Sequence, residues 1–186
     1  ANITYGENAT VNITVSGVDG TDLSGNVTVT INGNNWNGAV NSEGIGNVNL
    51  GILNAGNYTA LIKYLGNNNY LESNTTVNFT VRKHNSTTTA TIANITYGEN
   101  ATTNIVINGL EGTDLSSNVT VTIDGNNWNG AVNSEGIGNI IIPGLNIGNY
   151  TAIVKYIGNN NYHESNTTVN FTVSKDTSSL DFTDLQ

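Results

Sequence analysis

The sequence contains no cysteine and few basic residues. Without cysteine the chain cannot form disulfides or cysteine-bound zinc sites, although an extracellular protein can fold without them. Lys and Arg number 5 against 14 Asp and Glu, so a net charge of −9 repels nucleic-acid phosphates and anionic lipid headgroups. No apolar run reaches the roughly 20 residues that a membrane helix needs. We therefore expect neither a nucleic-acid partner nor membrane contact by this segment.

Most of the sequence occurs twice. Residues 1–83 laid over residues 93–175 give 64 identities in 83 positions. A period of 92 residues is too long for a solenoid repeat and fits one small domain that has been duplicated. A catalytic site rarely needs two tandem copies of its scaffold, so the duplication favours a function that belongs to an array.

The sequence alternates apolar and polar residues and contains a single proline and 21 glycines. This pattern and composition predict an all-β chain. Strands are predicted at 11–15, 27–31, 58–64 and 77–81, with weaker ones at 36–40 and 45–50. Asn32-Gly33 and Asn37-Gly38 mark turns between them. Residues 87–92 are predicted to be the first strand of the second repeat. Because residue 93 corresponds to residue 1, the first repeat is predicted to lack the counterpart of this strand.

About seven short strands per repeat are typical of an immunoglobulin-like (Ig-like) Greek-key sandwich, here without a disulfide. The motif Leu-x-x-Gly-x-Tyr ends at Tyr58 and again at Tyr150. It predicts a tyrosine corner, in which the hydroxyl reaches back to the backbone just upstream. We predict two Ig-like domains, at 1–83 (lacking its first strand) and 84–175, followed by a tail at 176–186.

Three segments of the first repeat carry a family resemblance: residues 57–60, 63–70 and 78–81. They resemble the end of the bacterial Ig-like repeats found in tandem in adhesin-like surface proteins. The asparagine-rich, proline-poor style is most similar to the repeats of methanogenic archaea. The resemblance implies a fold and carries no activity. In many relatives the loop before the last strand has Asp where this chain has Asn67 and Asn68, which weighs against a metal in that loop.

The tail at 176–186 breaks the repeat and has two interpretations. Residues 179–186 resemble the opening of the β-helical domains that neighbour such repeats, which would make the tail a remnant of such a domain. The repeat starts in mid-pattern at Ala1, so we expect the chain to be a processed product or an excised fragment. Alternatively, Leu180 and Phe182 align with Thr88 and Ala90, so the tail would be the first strand of a following domain. If that domain belongs to another copy, strand addition would join chains head to tail.

Fourteen asparagines begin an Asn-x-Ser/Thr sequon, the acceptor motif for N-linked glycans in secreted proteins. They are Asn2, Asn8, Asn12, Asn26, Asn57, Asn74, Asn78, Asn85, Asn94, Asn100, Asn118, Asn149, Asn166 and Asn170. Residues i and i+2 share one face of a strand, so the same pattern also describes a polar outer face. Glycosylation would place the chain outside the cell.

Trp36 and Trp128 are the candidate ligand contacts. Each lies between asparagines, where an aromatic ring can stack on a sugar, although a large aromatic more often covers the core of a sandwich. Lys63 and Lys155 are the candidates for an isopeptide bond to asparagine, but they are out of phase with the inward-facing residues and should face solvent.

Calcium is a further candidate ligand, because hard oxygen donors near domain junctions can stiffen a stalk. The acidic residues concerned are Glu7, Asp19, Asp22 and Glu72 with their copies Glu99, Glu111, Asp114 and Glu164. No segment has the spacing of a calcium loop, so we predict no metal site and no cofactor.

Catalytic residues are lacking as well. His84 lies in the connector, and His163 is replaced by Leu71 in the first repeat, so the repeats share no general base of the usual kind. We predict a non-catalytic, extracellular stalk segment of an adhesin-like cell-surface protein. The alternatives are a filament subunit joined by strand donation and a carbohydrate-binding module. The expected partners are neighbouring domains or copies of the chain, and glycans of a host or a cell surface.

Overall fold

The computed structural model describes residues 2–183, which form strands and no helix. The chain divides into two compact units, Ala1–His84 (unit 1) and Asn85–Gln186 (unit 2). Unit 1 contains β1 (Asn2–Thr4), β2 (Asn8–Thr14), β3 (Gly25–Ile31), β4 (Asn34–Val40), β5 (Ile45–Ile52), β6 (Gly56–Tyr64) and β7 (Ser73–Arg82). Unit 2 contains β8 (Thr87–Ile92), β9 (Ile95–Thr96), β10 (Ala101–Asn108), β11 (Ser117–Ile123), β12 (Asn126–Val132), β13 (Ile137–Ile142), β14 (Gly148–Tyr156) and β15 (Ser165–Ser174). The all-β prediction is confirmed.

The predicted period-two alternation becomes a buried face and an exposed face. In β3 the side chains of Val27, Val29 and Ile31 are buried, whereas Asn26 is exposed. Branched side chains at alternate positions pack well on a pleated surface, which favours a strand here over a helix. Each predicted strand, including the two weaker ones, corresponds to an observed element. The turn predicted at Asn37-Gly38 is wrong, because both residues lie within β4 and pair with β3.

The β3–β4 hairpin turns at Asn32-Gly33, where both residues have positive φ, 50° and 82°. This backbone matches the twist of the flanking strands, and Asn and Gly are the residues that adopt it most readily. Asp124 and Gly125 take the same conformation in unit 2, with φ of 48° and 79°. Aspartate therefore replaces asparagine without changing the turn.

Equivalent strands have the same neighbours in the two units, although they form one continuous sheet in unit 1 and two sheets in unit 2. In unit 1 the order is β1-β7-β6-β3-β4-β5-β2, and one residue pair, Val40 with Gly46, connects β4 to β5. In unit 2 the equivalent strands form a five-stranded sheet, β12-β11-β14-β15-β9, and a three-stranded sheet, β13-β10-β8. The core of unit 1 is made by residues from β2 to β6: Ala9, Ile13, Val27, Val29, Ile31, Val40, Val48, Leu50, Ala60 and Tyr64.

The units differ at one edge. In unit 2, β10 lies between β13 and β8. In the described part of unit 1 its counterpart β2 pairs with β5 only and forms the end of the sheet. The strand predicted at 87–92 is thus present in unit 2 as β8, and the described residues contain no equivalent strand in unit 1. None of the described residues form a helix that could cross a bilayer.

Candidate functional surfaces

Both tyrosine corner motifs place the hydroxyl on upstream backbone. The Tyr58 hydroxyl donates to the carbonyl oxygen of Asn54 at 2.7 Å, and the Tyr150 hydroxyl donates to that of Asn146 at 2.9 Å. The Tyr58 ring stacks on Phe79, with ring centroids 5.3 Å apart. The corner therefore fixes the loop that enters β6 to the sheet.

A second tyrosine organises the loop before the last strand, and the sequence did not point to it. The Tyr70 hydroxyl accepts a hydrogen bond from the Val18 backbone N–H at 3.0 Å and lies 2.5 Å from the Thr21 hydroxyl. Thr21 itself donates to the carbonyl of Val18, so Tyr70 is the donor in the shorter contact. Tyr162 repeats these contacts with Leu110 and Thr113.

Asn67 completes this loop. Its side-chain amide donates to the carbonyls of Asp22 and Ser24, each at 3.0 Å, while its oxygen accepts the N–H groups of Asn69 and Tyr70. An aspartate here would lose both donated bonds, because a carboxylate has no N–H. The repeated Gly-Asn-Asn-Asn-Tyr motif was the signal in the sequence that could have identified this site.

The loop between β2 and β3, to which Tyr70 and Asn67 bind, borders an open hollow of about 600 Å³ in unit 1 that is lined by residues 14–23 and 42–43. The equivalent hollow in unit 2 has a volume of about 650 Å³. The pKa of Asp22 lies below its usual value. The main cause is a hydrogen bond from the Ser24 backbone, and a hydrogen bond from the Ser24 side chain contributes less. In unit 2 the pKa of Asp114 is lowered mainly by a hydrogen bond from the Ser116 side chain and to a smaller extent by one from the Ser116 backbone. These aspartates cap the turns that follow them.

Glu7 and Glu99, two of the other acidic candidates, also have local partners. Glu7 accepts the Thr4 N–H at 2.6 Å, and Glu99 accepts the Thr96 N–H at 2.7 Å. Across residues 2–183, no three His, Asp or Glu side chains lie close enough together to hold a metal ion.

The candidate lysines form ion pairs on the surface. Lys63 contacts Glu72 and Lys155 contacts Glu164, each at 2.7 Å, and all four side chains are well exposed. The hydrogen bond and charge of Lys155 lower the pKa of Glu164. An isopeptide bond forms inside a core beside a buried acid, and these lysines lie outside the core.

Threonine and asparagine side chains bond across the outer face of each sheet. On the β6–β7 hairpin, Thr59 donates to the Asn78 side-chain oxygen at 2.7 Å, and Thr80 donates to that of Asn57 at 2.8 Å. The same two bonds recur on β14 and β15 at 2.7 and 2.9 Å. Each partner belongs to a sequon, so in these four sequons the Asn-x-Thr pattern also has a structural role.

All fourteen sequon asparagines are exposed. The amide nitrogen that would carry a glycan is not the atom that the threonines bind, because they donate to the oxygen. Asn85, Asn94 and Asn100 lie outside the strands, whereas the other eleven lie within them. Surface access is thus available for modification at each sequon.

Trp36 and Trp128 are half-buried. Trp36 lies opposite Val29 on the neighbouring strand and packs against the core of unit 1. Trp128 lies opposite Val121 in unit 2. An indole whose ring packs on the core offers less of its face to a sugar than an exposed platform does.

The tail is exposed in the part that the structure describes. No strand is assigned at 176–183, and Leu180 and Phe182 are 99% and 77% exposed. The tail prediction also covers residues 184–186, which lie outside the described residues.

Comparison with known proteins supports the Ig-like assignment. No protein-family model and no curated protein matches the sequence. The structure is similar to invasin, a bacterial integrin-binding protein, at 19% identity and a TM-score of 0.55; the match covers 94% of this chain and 37% of invasin. A segment of two fibronectin type III domains from chicken tenascin matches at 11% identity and a TM-score of 0.51, covering 89% of this chain and 93% of the segment.

These similarities concern the fold, because the identities are low. The predicted likeness to repeats of methanogenic archaea stays a prediction. Two β-sandwich units with tyrosine corners, similar to domains of invasin and tenascin, confirm the predicted fold class: the chain is an all-β protein built from Ig-like and fibronectin type III-like domains.

Proposed function

We propose that this chain is a non-catalytic spacer segment of an adhesin-like protein at the cell surface, whose Ig-like units resist tension. Adhesion proteins must transmit force from a bound target to the cell without unfolding. The fold neighbours include invasin, a bacterial integrin-binding protein, and this likeness supports a role at the cell surface.

The observation that carries the proposal is the parallel pairing of the last strand of each unit with a short strand near the start of that unit, which is β1 in unit 1 and β9, directly after β8, in unit 2. β1 runs parallel to β7, with Asn2 opposite Thr80 and Thr4 opposite Arg82. β9 runs parallel to β15, with Ile95 opposite Val173. When two parallel strands are pulled from the start of one and the end of the other, they slide past each other. The bonds between them then break together and not one at a time.

Additional bonds extend this contact, which we call the terminal clamp (β1 with β7 and β9 with β15). The Tyr5 N–H donates to the Arg82 carbonyl and the Tyr97 N–H donates to the Ser174 carbonyl, both at 2.8 Å. In unit 2 the Asn94 side chain also accepts the Thr172 N–H at 2.8 Å. The clamp is thus longer than the short β1 and β9 strands alone.

The surfaces fit an extracellular setting. Polar Thr–Asn pairs on exposed sheet faces keep a protein with few charges soluble, and glycans on the exposed sequons would add to this. We expect neighbouring domains and cell-surface or host glycans as partners of the whole molecule, with the adhesive contact carried elsewhere on it.

Single-molecule force spectroscopy on the full chain tests the proposal. Stretching should give two unfolding events, each releasing roughly 3.3–3.6 Å per unfolded residue. Tyr5→Pro removes the N–H that bonds Arg82 and should lower the unfolding force of unit 1 while leaving that of unit 2 unchanged.

Tyr5→Ala is the matched control, because it removes the same side chain and keeps the N–H. Equal unfolding forces for the proline and alanine variants would show that the clamp does not resist tension. Unfolding of both native units at forces too small to resolve would reject the spacer proposal as a whole.

A further inference from the structure

The strand β8 of unit 2 has no equivalent in the described part of unit 1, and unit 1 keeps the groove in which such a strand would lie. In unit 2, β8 pairs antiparallel with β10, placing Ile92 opposite Thr103, Ala90 opposite Ile105 and Thr88 opposite Ile107. Thr88 and Ile92 are buried there, at 7% and 8% exposure. β8 also contacts β15 across the sandwich.

Polar contacts fix the start of β8. The Thr88 hydroxyl lies 2.7 Å from that of Ser165, and the Ser86 hydroxyl donates to the His163 carbonyl at 2.9 Å. The counterpart of Ser165 in unit 1 is Ser73, which is exposed. Unit 1 therefore keeps the same serine for an incoming strand.

Equivalent residues are less buried in unit 1 on both sides of this groove. Thr103 is fully buried in unit 2, whereas its counterpart Val11 is only half-buried. Phe171 on β15, the strand that β8 contacts, is 3% exposed, whereas its counterpart Phe79 is half-buried. The sequence makes the exposed site the more apolar of the two, because valine replaces threonine.

A cavity of about 300 Å³ lies along this edge of unit 1. It is lined mainly by apolar side chains, among them Val11, Leu50, Val77 and Phe79. Val11 is the counterpart of Thr103, which faces Ile92 in unit 2. The cavity thus lies where the isoleucine of a β8-type strand would enter.

We propose that this edge of unit 1, between β2 and β7, is an acceptor groove for a strand with the β8 pattern, Thr-x-Ala-x-Ile, supplied by an adjoining Ig-like repeat. The strand pairs antiparallel with β2, its isoleucine opposite Val11 and its alanine opposite Ile13. Its backbone completes the open edge of β2, and its alternate side chains fill the groove, as in other cases of strand addition. Within this chain β8 already has this role: it follows β7, the last strand of unit 1, and completes the sheet of unit 2 by pairing with β10.

The tail is the competing occupant. At the same offset, Leu180 and Phe182 take the places of Thr88 and Ala90, but Asp184 takes that of Ile92. A carboxylate in an apolar cavity without a partner is costly to bury. The groove therefore favours the β8 sequence over the tail of a second copy.

Two reagents test the inference on the full chain. The first is a synthetic peptide of residues 85–93, whose binding is measured by calorimetry or fluorescence anisotropy. We expect one peptide per chain, because the groove of unit 2 holds its own β8. The matched control peptide carries Ile92→Asp and should bind at least about tenfold more weakly, since it loses a buried isoleucine.

The second reagent is a chain with residues 87–92 copied directly in front of residue 1. The junction reproduces the native one, because Ile92 precedes Ala93, the counterpart of Ala1. This variant should no longer bind the peptide, and the melting temperature of unit 1 should rise by at least about 5 °C.

Peptide that fails to bind, together with an unchanged melting temperature in the prefixed chain, overturns the acceptor groove. A peptide of residues 177–185 that binds more tightly than the β8 peptide overturns the occupant and makes the tail of a second copy the donor. Self-association that disappears in Leu180→Asp plus Phe182→Asp has the same meaning. The force experiment on Tyr5→Pro is independent, so the spacer proposal and the groove can fail separately.

Discussion

At the scale of residues, a small number of polar side chains fix loops onto sheets that apolar residues hold together. Tyr58, Asn67 and Tyr70 each bind the backbone of a distant or upstream loop. Unit 2 repeats the contacts of each at the same offset. The repetition means that each contact can be tested twice, once per unit, with one unit serving as a reference for the other.

Removal of the corner hydroxyl should weaken each unit by a similar amount. Tyr58→Phe and Tyr150→Phe each lose one hydrogen bond to a carbonyl while keeping the stacked ring, so each should cost about 1 kcal/mol of unfolding free energy. Chemical denaturation followed by tyrosine and tryptophan fluorescence measures this. An unchanged midpoint in both variants would show that water replaces the lost partner at no cost.

Alkaline pH should destabilise unit 2. Burial, with smaller contributions from Asp114 and Tyr162, raises the pKa of Tyr156 to about 12. A raised folded-state pKa means that this contribution to stability is complete below the unfolded pKa of about 10 and is lost as the pH rises toward 12. The Tyr156 hydroxyl also donates to the Leu115 carbonyl at 3.0 Å, a bond that ionisation removes.

Thermal unfolding between pH 9 and pH 12 tests this, since the melting temperature of unit 2 should fall as the pH rises over that range. Tyr156→Phe is the control because it cannot ionise, and it should remove the part of the slope that Tyr156 causes. An identical slope in the variant would assign the alkaline loss to other groups.

At the scale of elements, close contact between strands restricts which residue the sheet can accept. A Cβ added at Gly46 would lie 2.3 Å from the Ala39 carbonyl oxygen, and at Gly138 it would lie 2.4 Å from that of Ala131. These glycines stand where β4 meets β5 and β12 meets β13. A side chain there would push the two neighbouring strands apart.

Gly46→Ala should therefore destabilise unit 1 by roughly 1–3 kcal/mol, the usual cost of overpacking. Gly56→Ala is the matched control, because its Cβ would have no neighbour closer than 3.7 Å and its backbone φ is not positive. Differential scanning calorimetry of both variants measures the difference. Equal stability of the two would mean that β4 and β5 separate without cost.

The Thr–Asn pairs show how one sequence pattern serves two purposes at this scale. The sequence could not distinguish sequons from a polar strand face, and the register of β6 against β7 brings Asn57 opposite Thr80 and Thr59 opposite Asn78. Cross-strand polar pairs of this kind contribute a few tenths of a kcal/mol each. Whether glycans also occupy these asparagines stays a prediction.

At the scale of the whole molecule, the two units have nearly the same sequence but bury their cores to different degrees. Val154 is fully buried in unit 2, whereas its counterpart Ile62 in unit 1 is half-buried, and Phe171 and Phe79 differ in the same direction. Burial of apolar area is the dominant stabilising contribution to a small domain. Unit 1 should consequently be the less stable unit.

Calorimetry of the full chain should resolve two transitions, with unit 1 unfolding first. Val29→Ala and Val121→Ala assign them, because these fully buried valines are counterparts and each should lower only the transition of its own unit. A single transition that both substitutions shift equally would contradict independent units of different stability.

The sequence by itself determined the duplication, the all-β class, the Asn32-Gly33 turn, the tyrosine corner motifs and the strand positions apart from the short β1 and β9. These follow from local physics: side-chain alternation, turn residues with positive φ, and motifs whose partners lie within a few residues. The roles of Asn67 and Tyr70 could not be predicted from the sequence, since their partners, Asp22 and Val18, are about 50 residues away in the chain.

Only the tertiary structure decided which strand edges are paired and which are open. The sequence indicated that residues 87–92 are a strand, but the groove that they fill depends on β10 and β15, which come together only when the chain folds. The burial of Thr103 and the partial exposure of Val11 follow from that pairing and not from either residue. Two nearly identical sequences thus differ because a strand lies over the groove of unit 2, whereas no strand does so in the described part of unit 1.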